Sequence, residues 1–158
     1  MGPFDDRPNT FPWPPVIYGV AILLSVFLQW AVPVGWLPHP FSDFLFAVGI
    51  VTIFLALALD LMAMKTLHAA RTTIMPHRGS EHVVTAGPYR FTRNPIYLGN
   101  TLLMLGVALV SGIMWFIPLA FLAAWATTEL AIKREEQHLT HRFGKKYRDY
   151  ARKVRRWV

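Results

Sequence analysis

Four apolar runs limit what this chain can fold into more than any other feature. They are Val16 to Val32, Phe44 to Met64, Pro95 to Val110 and Ile113 to Ile132, and Asp60 and Glu129 are the only charges inside them. A bilayer core takes about 20 residues of helix, because in lipid each backbone N–H and C=O must find its partner within the segment. The breaks between the runs fit this reading. Pro33, Pro38 and Pro40 end the first run. Asn94-Pro95 reads as a cap followed by proline at the first helical position, a favoured helix start. Ser111-Gly112 is a tight turn, which makes the third and fourth helices an antiparallel hairpin.

Composition agrees. Hydrophobic residues make up 54% of the 158 and charged residues 16%, whereas a soluble domain is about 25% charged. With no cysteine, disulfides, thiolate metal sites and cysteine nucleophiles are excluded. The fold expected is all-α, one integral membrane domain over residues 1–158 with about four transmembrane helices. These lie near 16–36, 43–64, 95–111 and 113–132, with a loop at 65–94 and a tail at 133–158. In the tail Leu139, Phe143, Tyr147 and Tyr150 recur at helical spacing, predicting one amphipathic helix. The proline-rich stretch 1–15 lacks the basic region and cleavage site of a signal peptide and reads as a retained arm.

Net charge is +7, and the loop and tail hold 15 of the 16 Lys and Arg residues. The positive-inside rule places the N-terminus, the loop and the tail in the cytoplasm. A basic tail directly after an apolar helix is more simply a flank facing anionic lipid than a nucleic-acid site.

The loop meets the third helix in GPYRFTRNPIYLG, Gly87 to Gly99. Arg90 and Arg93 flank the helix start, where guanidinium groups and free N–H groups can hold a carboxylate or phosphate. Snorkelling arginines at the interface give the same pattern. Tyr89, Phe91 and Tyr97 fit either a pocket for a flat or cationic ligand or an interfacial aromatic belt. Gly99 and Gly106, seven apart, share a face suited to close helix packing. Glu129 and Glu136 are also seven apart, and Glu135 points about 100° away from Glu136. These carboxylates can hold an ammonium or sulfonium, or pair with Lys133, Arg134 or Arg93. Asp60 is expected to be a structural partner for Lys65 or for a backbone group. His138 and His141, with His68, His77 and His82, lack a carboxylate partner at fixed spacing, so no metal site is expected.

Several pieces in order carry a resemblance. They are His82-Val83-Val84-Thr85, Gly87-Pro88-Tyr89-Arg90, Arg93 to Gly99, a helical hairpin, Glu135-Glu136, and then Leu139, Phe143-Gly144, Tyr147 and Tyr150. Together, over about residues 75–158, they resemble the isoprenylcysteine carboxyl methyltransferase family, and phospholipid N-methyltransferases share the broader pattern. The resemblance implies S-adenosylmethionine bound at the cytoplasmic membrane edge. The holding residues would be the backbone at His82, Val83 and Val84, then Tyr89, Asn94, Pro95, Ile96 and Tyr97, with Glu135 on the cofactor's amino group. It implies catalytic roles for Arg93 and Glu136 and a lipophilic or lipidated acceptor entering from the bilayer.

There are two departures. Asn94 stands where the eukaryotic members mostly have histidine, and Ala131 stands where they carry an arginine for the acceptor's carboxylate. Methyl transfer needs alignment and water exclusion more than acid–base groups. A carboxylate acceptor is already ionised, whereas an amine must lose a proton to a base such as Glu129 or a histidine. The expected activity is methyl transfer to a lipophilic acceptor, with a carboxylate favoured. A phospholipid or amine N-methyltransferase is the nearest alternative. A non-catalytic protein binding anionic lipid, or a reductase of related architecture, stands further off.

Overall fold

A computed structural model describes residues 13–70 and 83–158. Among them there is helix and no strand. The helices are α1 (Trp13–Ala31), α2 (Phe41–Ala69), α3 (Pro95–Ser111), α4 (Phe116–Thr127), α5 (Lys133–Phe143) and α6 (Lys145–Lys153). A single 3-10 turn, Gly87–Arg90, precedes α3, and a π turn, Thr128–Ile132, joins α4 to α5. Three helical stretches are long and apolar enough to cross a membrane: Trp13–Ala31, Phe41–Ala69 and the continuous Phe116–Phe143. Pro95–Ser111 is apolar but shorter, at 17 residues. Large apolar side chains point outward along these helices, among them Leu23, Phe27, Phe54, Leu55, Phe121 and Trp125. Lipid tolerates that surface and water does not.

Small residues let the backbones close up. A Cβ placed on Gly49 would lie 2.9 Å from the Gly106 carbonyl oxygen, and one on Gly106 would lie 2.7 Å from Ile53 Cγ1. Gly106 and Gly99 both face α2, as their spacing predicts, and the Asp60 carboxylate rests where a Gly99 side chain would be. The expected partners of Asp60 are Lys65 or a backbone group. No ion pair with Lys65 forms among the described residues, and Asp60 Oδ1 is buried without a hydrogen-bond partner there. The core lies on the other side of α3, where Tyr18 and Ala21 of α1 meet Met104 and Ala108, and Leu119, Ala120 and Ala123 of α4. The Tyr18 hydroxyl donates to Thr101 Oγ1 at 2.6 Å, and Thr101 donates to the Tyr97 carbonyl at 2.9 Å. This chain satisfies polar groups that lipid cannot.

Two boundaries differ from the sequence reading. The fourth helix does not stop at Ile132. Polarity changes there, but backbone hydrogen bonding carries on through the π turn into α5. Glu129 pairs with Lys133 at 2.7 Å, while Glu136 turns to Arg93 and Arg156. The tail is two helices rather than one. Gly144, at φ +53°, interrupts the expected amphipathic face. After α6 the backbone becomes extended at Val154, and a short strap, 154–157, runs back across the start of α3.

Candidate functional site at the start of α3

The strap fixes the loop through backbone groups. Arg93 N–H donates to the Arg155 carbonyl at 3.0 Å. Thr92 Oγ1 and Asn94 Nδ2 both donate to the Arg156 carbonyl, at 3.1 and 2.9 Å. Asn94 therefore flanks α3 as predicted but makes no side-chain cap, because its amide is spent on the strap. Trp157 Nε1 donates to Thr128 Oγ1 at 3.2 Å, tying the strap to the π turn. The Tyr150 hydroxyl donates to the Tyr89 carbonyl at 2.6 Å and so docks α6 on the same loop. Gly87 permits this loop path, since its φ of +56° and its contact with Thr66 leave no room for a side chain.

Glu135 and Glu136 leave α5 in different directions and meet different surroundings. Glu136 Oε1 lies 3.0 Å from Arg93 Nη1 and accepts from Arg156 Nε at 2.9 Å, and Oε2 accepts from Arg156 Nη2 at 2.7 Å. Two guanidinium groups therefore share one carboxylate in a largely buried triad. Arg93 Nη1 also donates to the Tyr147 hydroxyl at 3.5 Å. Burial and the charge on Glu136 push the Tyr147 phenol up to about 12, and Arg93 partly offsets this.

Among the described residues no cation pairs with Glu135. Its one hydrogen bond among the described residues comes from the Tyr97 hydroxyl, which donates to Oε2 at 3.3 Å. Burial pushes the Glu135 carboxyl up to about 7, with the Tyr97 bond pulling it down and the Glu136 charge raising it further. The Tyr89 phenol is pushed up by burial, then by Glu135 and Tyr150. A carboxylate held away from water, lined by phenols and lacking a counter-charge, suits an organic cation. Among the described residues no group of three or more histidines and carboxylates could hold a metal ion.

A family model for phospholipid methyltransferases matches residues 44–146, which take in α2 to α5 and the loop between α2 and α3. The chain belongs to the phospholipid methyltransferase family. A "Protein-S-isoprenylcysteine O-methyltransferase" of Dictyostelium discoideum is similar to this family member, 26% identical over 147 residues. That alignment covers 87% of this chain and 58% of the relative, so the chain spans little more than half the relative's length.

The site residues of this phospholipid methyltransferase family member divide into groups. Tyr89, Tyr97 and Glu135 come together in one cluster. Pro95 is fully buried as the first residue of α3, and Ile96 is partly buried beside it. Val83 and Val84 are partly buried in irregular backbone leading to the 3-10 turn. His82 lies outside the described residues. Arg93 and Glu136 are brought together, each as the other's partner. Sequence reasoning missed Thr92, Arg155, Arg156 and Trp157. The one signal for them was a tryptophan placed just after two arginines beyond the last helix, which marks the end of the chain as anchored.

Proposed function

We propose that this protein transfers the methyl group of S-adenosylmethionine to a lipophilic acceptor that reaches the site from the bilayer. The observation that carries the reading is Glu135, a desolvated carboxylate with a phenol beside it and no cation partner among the described residues. When bound, the cofactor supplies a methyl on a positively charged sulfur, with a free ammonium group at its amino-acid end. Glu135 holds that ammonium. Tyr97 and Tyr89 line the cation's path, and Asn94, Pro95 and Ile96, with the backbone at His82, Val83 and Val84, shape the rest of the pocket. Arg93 and Glu136, expected to be catalytic, serve here to keep loop and strap in register, since they pair with each other and Glu136 also holds Arg156. The chain forms one membrane domain of four spans, with both termini and the site on the cytoplasmic side, following the basic loop and tail.

A carboxylate acceptor needs alignment and no base. That suits a site where Glu129 is tied to Lys133 and Glu136 to two arginines. One observation favours an amine acceptor. Asp60 Oδ1 is buried without a partner among the described residues, against the first turns of α3, and could take a proton.

Calorimetry of the purified protein with S-adenosylhomocysteine tests the cofactor reading, and no binding by the native protein would end it. Methylation of membrane lipid extracts, followed by mild base, separates the acceptors. A methyl ester is released and an N-methyl group is retained.

A further inference from the structure

Helical spacing divides α5 into two faces. Lys133, Glu136, Gln137, Thr140 and His141 line one face, which with α6 and the strap forms a cleft of about 430 Å³. Glu135 points the other way, to Tyr97. Arg93, Arg148 and Arg156 complete the cleft wall.

Charge in this cleft is unbalanced. Arg93 and Arg156 share the single carboxylate of Glu136, with side chains 14% and 33% exposed. Lys133 is matched by Glu129, but the Arg148 guanidinium makes no hydrogen bond or ion pair among the described residues. Arg93 Nε is buried without a partner there. Roughly two positive charges in excess face one concavity, on the half-buried Arg93–Arg156 pair and the exposed Arg148, and such a cluster favours an anion. Lys133 directly follows the apolar Ile132, so the mouth of the cleft sits where the helix leaves the hydrocarbon, the level at which lipid headgroups lie.

We propose that this cleft binds the phosphate of an anionic lipid headgroup between Arg148 and the Arg93–Arg156 pair. The lipid seats the tail against the membrane and neutralises the arginine pair from the side away from Glu135. The site is separate from the one that Glu135 serves and does not depend on methyl transfer.

The test uses the full chain in neutral detergent, titrated with dioctanoyl phosphatidate, dioctanoyl phosphatidylcholine or inorganic phosphate. Tryptophan fluorescence reads binding, and S-adenosylhomocysteine binding is measured alongside. The phosphatidate should bind saturably and at least about tenfold more tightly than the other two. Arg148→Glu, a change of two charge units, should weaken it about thirtyfold, in line with roughly 1 kcal/mol per charge near a surface. Lys145→Glu, on the same helix but outside the cleft wall, should change it less than about twofold, because an exposed charge acts only diffusely. Equal losses in the two variants would reduce the effect to general attraction by a basic tail and overturn the site. Equal affinity for inorganic phosphate would overturn the lipid, and equal affinity for phosphatidylcholine would overturn the anionic headgroup.

Discussion

Glu135 and Glu136 are neighbours in the chain and opposites in the structure. Glu136 is clasped by two guanidinium groups from two distant segments. Glu135 meets a single phenol. A helix turns each residue about 100° from the last, which is enough to send one carboxylate into a salt bridge and the other into a phenol-lined hollow. One is structural because its charge is already matched. The other is available because its charge is not.

The sharpest break of this comparison is Glu136→Ala. It strands two largely buried cations. Removing one partner of a buried pair costs about 3–5 kcal/mol, and exposure of Arg156 brings the expectation to about 2–3 kcal/mol. The detergent-solubilised protein should melt several degrees lower. Glu135→Gln should not lower the melting temperature, and should raise it near and above pH 7 where the native carboxyl ionises; equal losses would mean that the two residues share one role.

Next in size, Glu135→Gln should weaken S-adenosylhomocysteine binding about tenfold or more, the worth of one charged hydrogen bond. A pH series sharpens this. Glu135 holds its proton up to about pH 7. Ammonium binding should therefore strengthen as pH rises through that value and become flat in the Gln variant. Stability runs the other way. The folded carboxyl sits above its ordinary value of 4.5, so the folded state binds more protons than the unfolded one between there and about 7. Stability should fall as pH climbs through that window.

Tyr97→Phe removes the donor to Glu135 and should cost about 1 kcal/mol in binding, or about fivefold, with little change in melting. The smallest effect is expected from Trp157→Phe, which loses one hydrogen bond to Thr128. A stability loss of about 0.5–1 kcal/mol is expected, without the pH dependence that belongs to Glu135.

The apolar helices were legible because lipid leaves a chain few options, and the start of α3 because proline fixes its own backbone angle. Gly99 and Gly106 were read correctly as a packing face, since their spacing alone puts them on one side. Other features depend on partners that spacing cannot supply. Asn94 looks like a cap in sequence, yet its amide reaches a carbonyl 62 residues away. Arg155 and Arg156 looked like two more charges in a basic tail, but they hold the loop largely through backbone carbonyls, which are the same in every residue type. The π turn escaped notice because Ile132 ends the apolar run without ending the helix.

That unbroken stretch has a mechanical consequence. Phe116–Phe143 is 28 residues of continuous helix, a rod of about 42 Å at about 1.5 Å per residue. Phe116 to Ile132 is its apolar arm, and Glu135 sits about one turn beyond it. A bilayer that thickens or thins changes the tilt of such a rod. The carboxylate is then carried along by the long arm that the membrane holds.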